Sequence, residues 1–115
     1  MDIQIEGVDV SGGVIIAGGS VQLYMRFLGR FCEDTTFAAL EQAIASGDAQ
    51  QAFLHAHTLK GLCAQLGIIA LLEPLCALCS CLRVPSENSL HEAARILSAL
   101  APLHRRTLER IRHII

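Results

Sequence analysis

The residues best suited to chemistry in this sequence are His57, Lys60 and Gly61, which lie within about one helical turn of each other. A neutral imidazole is a nucleophile near neutral pH and needs no base to activate it. A lysine ammonium is a compact charge that can donate to phosphoryl oxygens, and a glycine leaves space for another protein beside the ring. This combination suits phosphoryl transfer through a phosphohistidine, because such transfer depends mainly on positioning and charge neutralisation.

A helix must present these residues on one face and bury the other face. Each residue of an α-helix turns by about 100°, so Lys60 and Gly61 lie on the face of His57, one turn towards the carboxyl end. His55 falls towards the opposite face, which carries an apolar stripe wide enough to pack against a bundle core. That stripe consists of Ala56, Leu59, Leu62, Cys63 and Leu66. His57 is therefore predicted to point away from the core.

Capping signals predict where this helix begins and ends. Asp48 with Gln51 matches a capping box, in which a side chain accepts from the first backbone amides of a helix. Gly67 matches the left-handed glycine that commonly ends a helix. We therefore expect the helix to run from about 49 to 66.

The rest of the chain is also predicted to be helical, since no segment shows convincing period-two alternation. Ser20 is predicted to cap one helix, and Ser89 with Glu92 forms a capping-box pattern for the last one. Pro74 predicts a kink or a restart, and Pro102 predicts a bend, because proline cannot donate to the preceding turn. Helices are expected over about 20–32, 37–46, 68–82 and from 89 onwards, with one short helix before Ser20. Short connections between these helices predict an all-α, antiparallel helical bundle.

Length and composition limit the classes of protein. With 115 residues and 12.4 kDa, the chain is expected to form a single domain over 1–115. A net charge of −2 and an aromatic content of 4% exclude a nucleic-acid module held by phosphate attraction or base stacking. The most apolar stretch, 67–82, contains Glu73 and Pro74 and is too short for a membrane span. Five cysteines in apolar helical surroundings indicate reduced thiols, and no signal peptide is visible, so we expect a cytoplasmic protein.

The run AHTLKGLCAQLG, residues 56–67, resembles the signature of the histidine-containing phosphotransfer (HPt) domain, H-x-L-K-G followed by L-G. The segments 23–31 and 40–48 also resemble that family's helix leading to a Gly-Asp turn, and the similarity covers roughly 8–83. The resemblance implies that His57 accepts a phosphoryl group, that Lys60 contacts it and that Gly61 gives a partner access. It also implies a bundle whose four-helix core displays the histidine on its surface.

The same resemblance implies a phosphorelay intermediate, which accepts the group from a receiver-domain aspartate and passes it to another receiver. Its expected partners are response-regulator receiver domains and a hybrid sensor histidine kinase. We expect no cofactor of its own, with Mg²⁺ held by the partner receiver. The chain is not expected to be an enzyme, because it shows no glycine boxes of a kinase ATP site. A monomer is expected, since the face around His57 must stay free for a receiver.

Two positions depart from the family pattern. Leu62 stands where the family usually has Ser or Ala, so helix packing there is expected to be looser or wider. Pro74 is unusual inside the helix that follows. Neither position coincides with the three residues to which the resemblance assigns chemistry.

Three neighbours of His57 are candidate partner contacts. Phe53 and Leu54 precede it by about one turn and flank its face, and Ala64 lies on that face towards the carboxyl end. Phe53 and Leu54 could equally be ordinary core residues. The sequence pattern leaves both interpretations open.

Two other functions are compatible with the sequence. A non-catalytic helical adaptor would use the same bundle with His57 incidental. A cysteine-based metal or redox sensor would use Cys76, Cys79 and Cys81, but Cys81 points well away from Cys76 on a helix, and no second pair completes four ligands.

The carboxyl-terminal end carries His104 and His113 near several arginines. We expect this end of the last helix to be cationic and solvated, in preference to a binding site for an acidic surface.

Overall fold

The structure, a computed structural model, describes residues 3–115 and is built from helices. Six helices follow one another in that part of the chain: α1 (Val10–Ile16), α2 (Val21–Glu33), α3 (Thr36–Ala45), α4 (Ala49–Leu66), α5 (Ile69–Arg83) and α6 (Ser89–Ile114). Over residues 3–115 there is no strand, only an isolated bridge between Ile5 and Val8. The same residues contain no helix that is both long and apolar enough to cross a membrane. The predicted all-α class is confirmed.

The helices α3 to α6 form an antiparallel four-helix core. α4 packs between α3 and α5, α6 packs along α5, and α3 meets α6 and so closes the bundle. α2 lies against α6, and α1 packs on α4. The interior is apolar and is filled mainly by fully buried leucines: Leu28, Leu40, Leu71, Leu75, Leu78, Leu82 and Leu100. The predicted helical bundle is therefore confirmed, and burial of its apolar stripes is what holds the helices together.

The ends of α4 are formed by the residues that the sequence predicts. Asp48 accepts a hydrogen bond from the backbone N–H of Gln51 at 3.1 Å, and Gly67 ends the helix with a left-handed φ of 74°. Ser20 caps α2 in the same way, since its hydroxyl accepts from the N–H of Leu23 at 3.1 Å. These contacts satisfy backbone groups that a helix end otherwise leaves unpaired. Local sequence therefore sets the boundaries of α4.

The capping box predicted at Ser89 is wrong by one residue. Asn88 occupies the N-cap position of α6, and Ser89 is the first helical residue. The Ser89 side chain is buried, and its hydroxyl accepts from the N–H of Ser86 at 2.8 Å. The Ser89 side chain therefore stabilises the preceding loop and does not cap α6. Sequence spacing alone does not distinguish a serine that caps a helix from one that bonds to a loop.

Both helical prolines lie inside continuous helices. α5 runs from Ile69 to Arg83 through Pro74, so the restart predicted as one outcome there does not occur. α6 continues through Pro102 and extends over 26 residues. Packing of these helices in the bundle therefore outweighs the loss of the proline N–H at each position.

The amino-terminal segment is fastened to the turn between α4 and α5. The N–H of Asp9 donates to the carbonyl of Gly67 at 2.7 Å, and the N–H of Ala70 donates to the carbonyl of Gly7 at 2.9 Å. A β-carbon on Gly67 would collide with the carbonyl of Asp9. Gly67 is therefore required both by its left-handed backbone and by the close approach of this segment.

The hydroxyl of Tyr24 joins α2 to the carboxyl end of α4. Its ring is fully buried, and its O–H donates to the carbonyl of Leu66 at 2.6 Å. Burial and, secondly, the negative charge of Asp9 raise the pKa of Tyr24 to about 12, so the hydroxyl keeps its proton.

Tyr24→Phe is expected to lower the free energy of unfolding by about 1–2 kcal/mol, because the buried carbonyl loses its donor. Urea denaturation measures this loss, and an unchanged midpoint would contradict it.

His104 packs against two phenylalanines, so the expected solvated helix end is wrong for this residue. Its imidazole stacks on the ring of Phe37, with centroids 3.9 Å apart and planes 9° apart. The ring of Phe31 meets it in an edge-on arrangement at 6.3 Å. Burial and, secondly, the charge of Arg112 lower the pKa of His104 to about 4. The imidazole is therefore neutral in the folded protein at physiological pH.

Acid is expected to destabilise the fold through His104. The unfolded chain takes up this proton near the ordinary pKa of 6.5, whereas the folded chain resists it until about pH 4. The stabilisation is complete above 6.5 and is lost progressively as the pH falls towards 4. Unfolding free energies measured in urea across this range should fall less for His104→Gln than for the wild type. The exposed His113 provides the control, and an identical fall in wild type, His104→Gln and His113→Gln would contradict the prediction.

Candidate functional site

The faces of α4 are sorted largely as the periodicity predicts. Its buried stripe consists of Ala52, Ala56, Leu59, Cys63 and Leu66. His57 lies on the opposite face and is exposed, and His55 is half-buried at the margin of the stripe. Leu62, which was expected in the stripe, is only half-buried, because it sits at the edge of the face that α1 and α2 approach. Packing of α4 between α3 and α5 therefore leaves His57 facing outwards.

The imidazole of His57 contacts the ring of Phe53. The two rings lie one turn apart on α4, with centroids 5.9 Å apart and planes within 10° of parallel. Residues 3–115 give the imidazole no hydrogen bond and no ion pair. Since stacking occupies only the face of the ring, both nitrogens remain available at its edge.

Lys60 lies one turn after His57 and is half-buried. Burial raises the pKa of the Cys79 thiol on α5, and the positive charge of Lys60 opposes that rise. Within residues 3–115 no carboxylate forms an ion pair with Lys60. Its ammonium is therefore a cation near His57 whose charge no described acidic side chain neutralises.

Gly61 borders open space. It is exposed, and a β-carbon built on it would meet no atom within 4 Å outside its own helix backbone. Gly13 and Gly67 differ, because a β-carbon on either would collide with neighbouring atoms. Packing within this chain therefore does not explain the glycine at position 61.

The three predicted partner contacts differ in their exposure to solvent. Leu54 is exposed over 47% of its surface, and Ala64 is also exposed. Phe53 is half-buried and packs against the core, so it is both a core neighbour and the stacking partner of His57. An apolar side chain as exposed as Leu54 is available to another protein, whereas Phe53 has its main contacts within the chain.

A cavity of about 290 Å³ beside α4 is not predictable from the sequence pattern. Leu62 and Gln65 contribute to it from α4, and Phe27 and Arg30 contribute from α2. Ile16 of α1 completes one wall and is 62% exposed. No signal within α4 reveals this cavity, because it exists only where α1 and α2 approach that helix.

The cysteines do not gather around a common point. Cys32, Cys63 and Cys79 are buried, Cys81 is half-buried and Cys76 is exposed. Burial raises the pKa of the Cys63 thiol to about 12, which makes it a poor nucleophile. Among residues 3–115 no three His, Cys, Asp or Glu side chains converge as a metal site requires. The metal-sensor alternative therefore has no supporting cluster in the described residues.

The arrangement around His57 fits attack by an imidazole nitrogen on an electrophile carried by another molecule. The nitrogens are unpartnered, Lys60 supplies positive charge and Gly61 leaves room for approach. Among residues 3–115 no carboxylate or second imidazole forms a hydrogen bond with His57, so no general base is in contact with it. A neutral imidazole has a free lone pair and needs no such base to attack an activated phosphoryl group.

Comparison with known proteins gives one match. The family model described as "Hpt domain" matches residues 26–113, which extend from α2 through most of α6. No curated protein matches the chain, and no solved structure matches it. The matched segment contains all of α4 and therefore the whole arrangement around His57.

Proposed function

Because the chain belongs to the Hpt domain family, we propose that it is a phosphorelay intermediate that carries a phosphoryl group on His57. Hpt domains are phosphocarrier modules of two-component signalling and not kinases. The observation that carries the assignment to His57 is its exposed imidazole, which has no polar partner in residues 3–115 and stands beside Lys60 and Gly61.

The donor is the phosphorylated aspartate of a receiver domain. An imidazole nitrogen attacks phosphorus, the P–O bond to the aspartate breaks, and the aspartate leaves as a carboxylate. A P–N bond forms in its place, and the other ring nitrogen releases its proton to solvent. The reverse sequence passes the group from His57 to the aspartate of a second receiver. The receiver supplies the Mg²⁺ that offsets the charge on phosphorus, and this chain needs no cofactor of its own.

The receiver docks on the face of α4 around His57. Leu54 and Ala64 are exposed on that face, and Gly61 leaves the approach open. A specific interface covers about 800 Å² on each partner, equivalent to a disc of roughly 16 Å radius. Gln65, which lines the neighbouring cavity and is exposed, lies about 12 Å along α4 and about 80° around the helix axis from His57. A receiver centred on His57 therefore also covers the edge of this cavity.

Phosphate transfer from purified receivers tests this proposal. Each phosphorylated receiver is incubated with the chain and Mg²⁺, and the chain is then assayed for a phosphoryl group that acid removes and base does not. We expect at least one receiver to transfer its label to the chain. Failure of every cognate receiver to do so, with binding retained, would instead support the non-catalytic adaptor.

Lys60→Ala is expected to slow transfer without weakening receiver binding. The lysine ammonium donates to phosphoryl oxygens as the group moves, and one charge-assisted hydrogen bond contributes roughly 1–3 kcal/mol. Rapid-quench phosphotransfer gives the rate, and calorimetric titration of the unphosphorylated receiver gives the affinity. Lys60→Arg is the control that keeps the charge and should lose less activity. Equal rates for wild type and Lys60→Ala would contradict the role.

The proposal places the chain in the cytoplasm as a monomer. Receiver domains and hybrid sensor kinases present their phosphoryl groups on the cytoplasmic side of the membrane, and the face around His57 has to stay uncovered. Light scattering during gel filtration measures the oligomeric state. A dimer that buries His57 would contradict this part of the proposal.

A further inference from the structure

We propose that Phe53 is a positioning residue, which holds the imidazole of His57 in the orientation needed for phosphoryl transfer. The inference rests on the proposed function, because it concerns how the same imidazole reacts. In the sequence, Phe53 is a candidate partner contact. Its neighbours in the structure favour a role that acts through His57.

The rings of Phe53 and His57 form a stacked pair on the surface of α4. Side chains one turn apart on a helix are neighbours. The two planes are within 10° of parallel, and the centroids are 5.9 Å apart. Aromatic pairs prefer such offset arrangements, with centroids separated by about 4.5–7 Å. The observed pair lies within that range.

Phe53 is the anchored member of the pair. It is half-buried and packs against the hydrophobic core, whereas His57 is exposed. Residues 3–115 provide His57 with no hydrogen bond or ion pair that would hold the ring. Phe53 therefore restricts rotation of the imidazole by stacking, and the core in turn restricts Phe53.

Restricting the ring matters because its reactive lone pair lies in the ring plane. Attack on phosphorus requires that the edge of the imidazole points at the donor, in line with the bond that breaks. An exposed side chain without neighbours samples several rotamers, and only some of them present the nitrogen correctly. Stacking leaves both nitrogens free while it limits the orientations of the ring.

The expected size of the effect follows from the strength of such pairs. The interaction energies that double-mutant cycles measure for aromatic pairs correspond to a preference of roughly two- to twelvefold for the paired geometry. Loss of the Phe53 ring should therefore slow phosphorylation of His57 by about that factor. Because orientation precedes the chemical step, the same factor should apply to any donor.

Phosphoramidate separates positioning from docking. It is a small phosphoryl donor that needs no protein surface: the imidazole nitrogen attacks phosphorus, the P–N bond to ammonia breaks, and ammonia leaves as ammonium with the proton. The variant Phe53→Leu keeps an apolar anchor and removes the ring, and Phe53→Tyr keeps the ring. Ile96→Val, on α6, is the control for a small loss of packing elsewhere.

The rates are measured with phosphoramidate and with a phosphorylated receiver, together with receiver affinity. We expect Phe53→Leu to slow both reactions by the same factor of about two to twelve, with receiver affinity unchanged. Phe53→Tyr and Ile96→Val should retain wild-type rates. Side-chain couplings of His57 measured by NMR should show a wider rotamer distribution in Phe53→Leu only.

Two results would overturn the inference in distinguishable ways. If Phe53→Leu reacts with phosphoramidate at the wild-type rate but binds the receiver more weakly, Phe53 is a docking residue and the proposed function stands. If the wild type itself accepts no phosphoryl group on His57 from either donor, the proposed function fails and the inference fails with it.

Discussion

His57→Gln is expected to abolish phosphorylation of the chain while leaving the fold intact. Glutamine has no nitrogen nucleophile that can attack phosphorus, so no residual transfer through this position remains. The side chain is exposed, and its stacking partner Phe53 is held independently by the core. Loss of the stack with Phe53 should lower the free energy of unfolding by only about 0.5–1.5 kcal/mol, too little to unfold the bundle. Radiolabel transfer from a phosphorylated receiver and far-ultraviolet circular dichroism measure the two effects.

The neighbouring histidine on α4 is the control for His57→Gln. His55 is half-buried at the margin of the apolar stripe and does not share the open face. His55→Gln should therefore keep the label. If His55→Gln loses the label and His57→Gln keeps it, His55 carries the phosphoryl group and the proposed site at His57 is contradicted.

Gly61→Gln is the second substitution for which we expect a large effect. A β-carbon at position 61 has no neighbour within 4 Å outside its own helix backbone, so packing against the other helices does not exclude a side chain there. It would instead stand beside the imidazole and hold off the loops of a receiver. Glutamine is also a better helix former than glycine, by up to about 1 kcal/mol. We expect transfer to be blocked in a protein that melts no lower than the wild type.

Gly61→Ala is the matched control for this result. Alanine brings at least as large a gain in helix propensity with far less bulk, so it should stabilise the protein by up to about 1 kcal/mol and keep more of the transfer. Thermal melts and phosphotransfer rates on the same samples separate stability from access. Normal transfer by Gly61→Gln, or loss of transfer only because it unfolds, would refute the access role.

The helix that carries the site could be predicted from local sequence. Asp48 and Gly67 mark its ends with side-chain and backbone chemistry that acts over three or four residues, and the apolar stripe sets its rotation. Because these signals are short-range, they also place His57 on the outer face. The stack with Phe53 has a signal of the same kind, since aromatic side chains one turn apart meet on a helix.

Features that depend on distant segments could not be predicted. The attachment of Asp9 to Gly67 and of Tyr24 to Leu66 joins parts of the chain that no local pattern relates. His104 illustrates the same limit, because its position near the charged carboxyl end suggests a solvated residue, whereas packing against α2 and α3 removes it from water. The cavity beside α4 likewise arises from the placement of α1 and α2.

Direct location of the phosphoryl group tests the central proposal most directly. The ¹⁵N-labelled wild-type chain is phosphorylated by a receiver with Mg²⁺, and long-range ¹H–¹⁵N and ³¹P spectra identify the modified ring. We expect one phosphorylated imidazole, that of His57, with the ring resonances of the other histidines unchanged. A phosphoryl group on His55, His91 or His113, or an acid-stable phosphate on a hydroxyl, would contradict the assignment of His57 as the carrier.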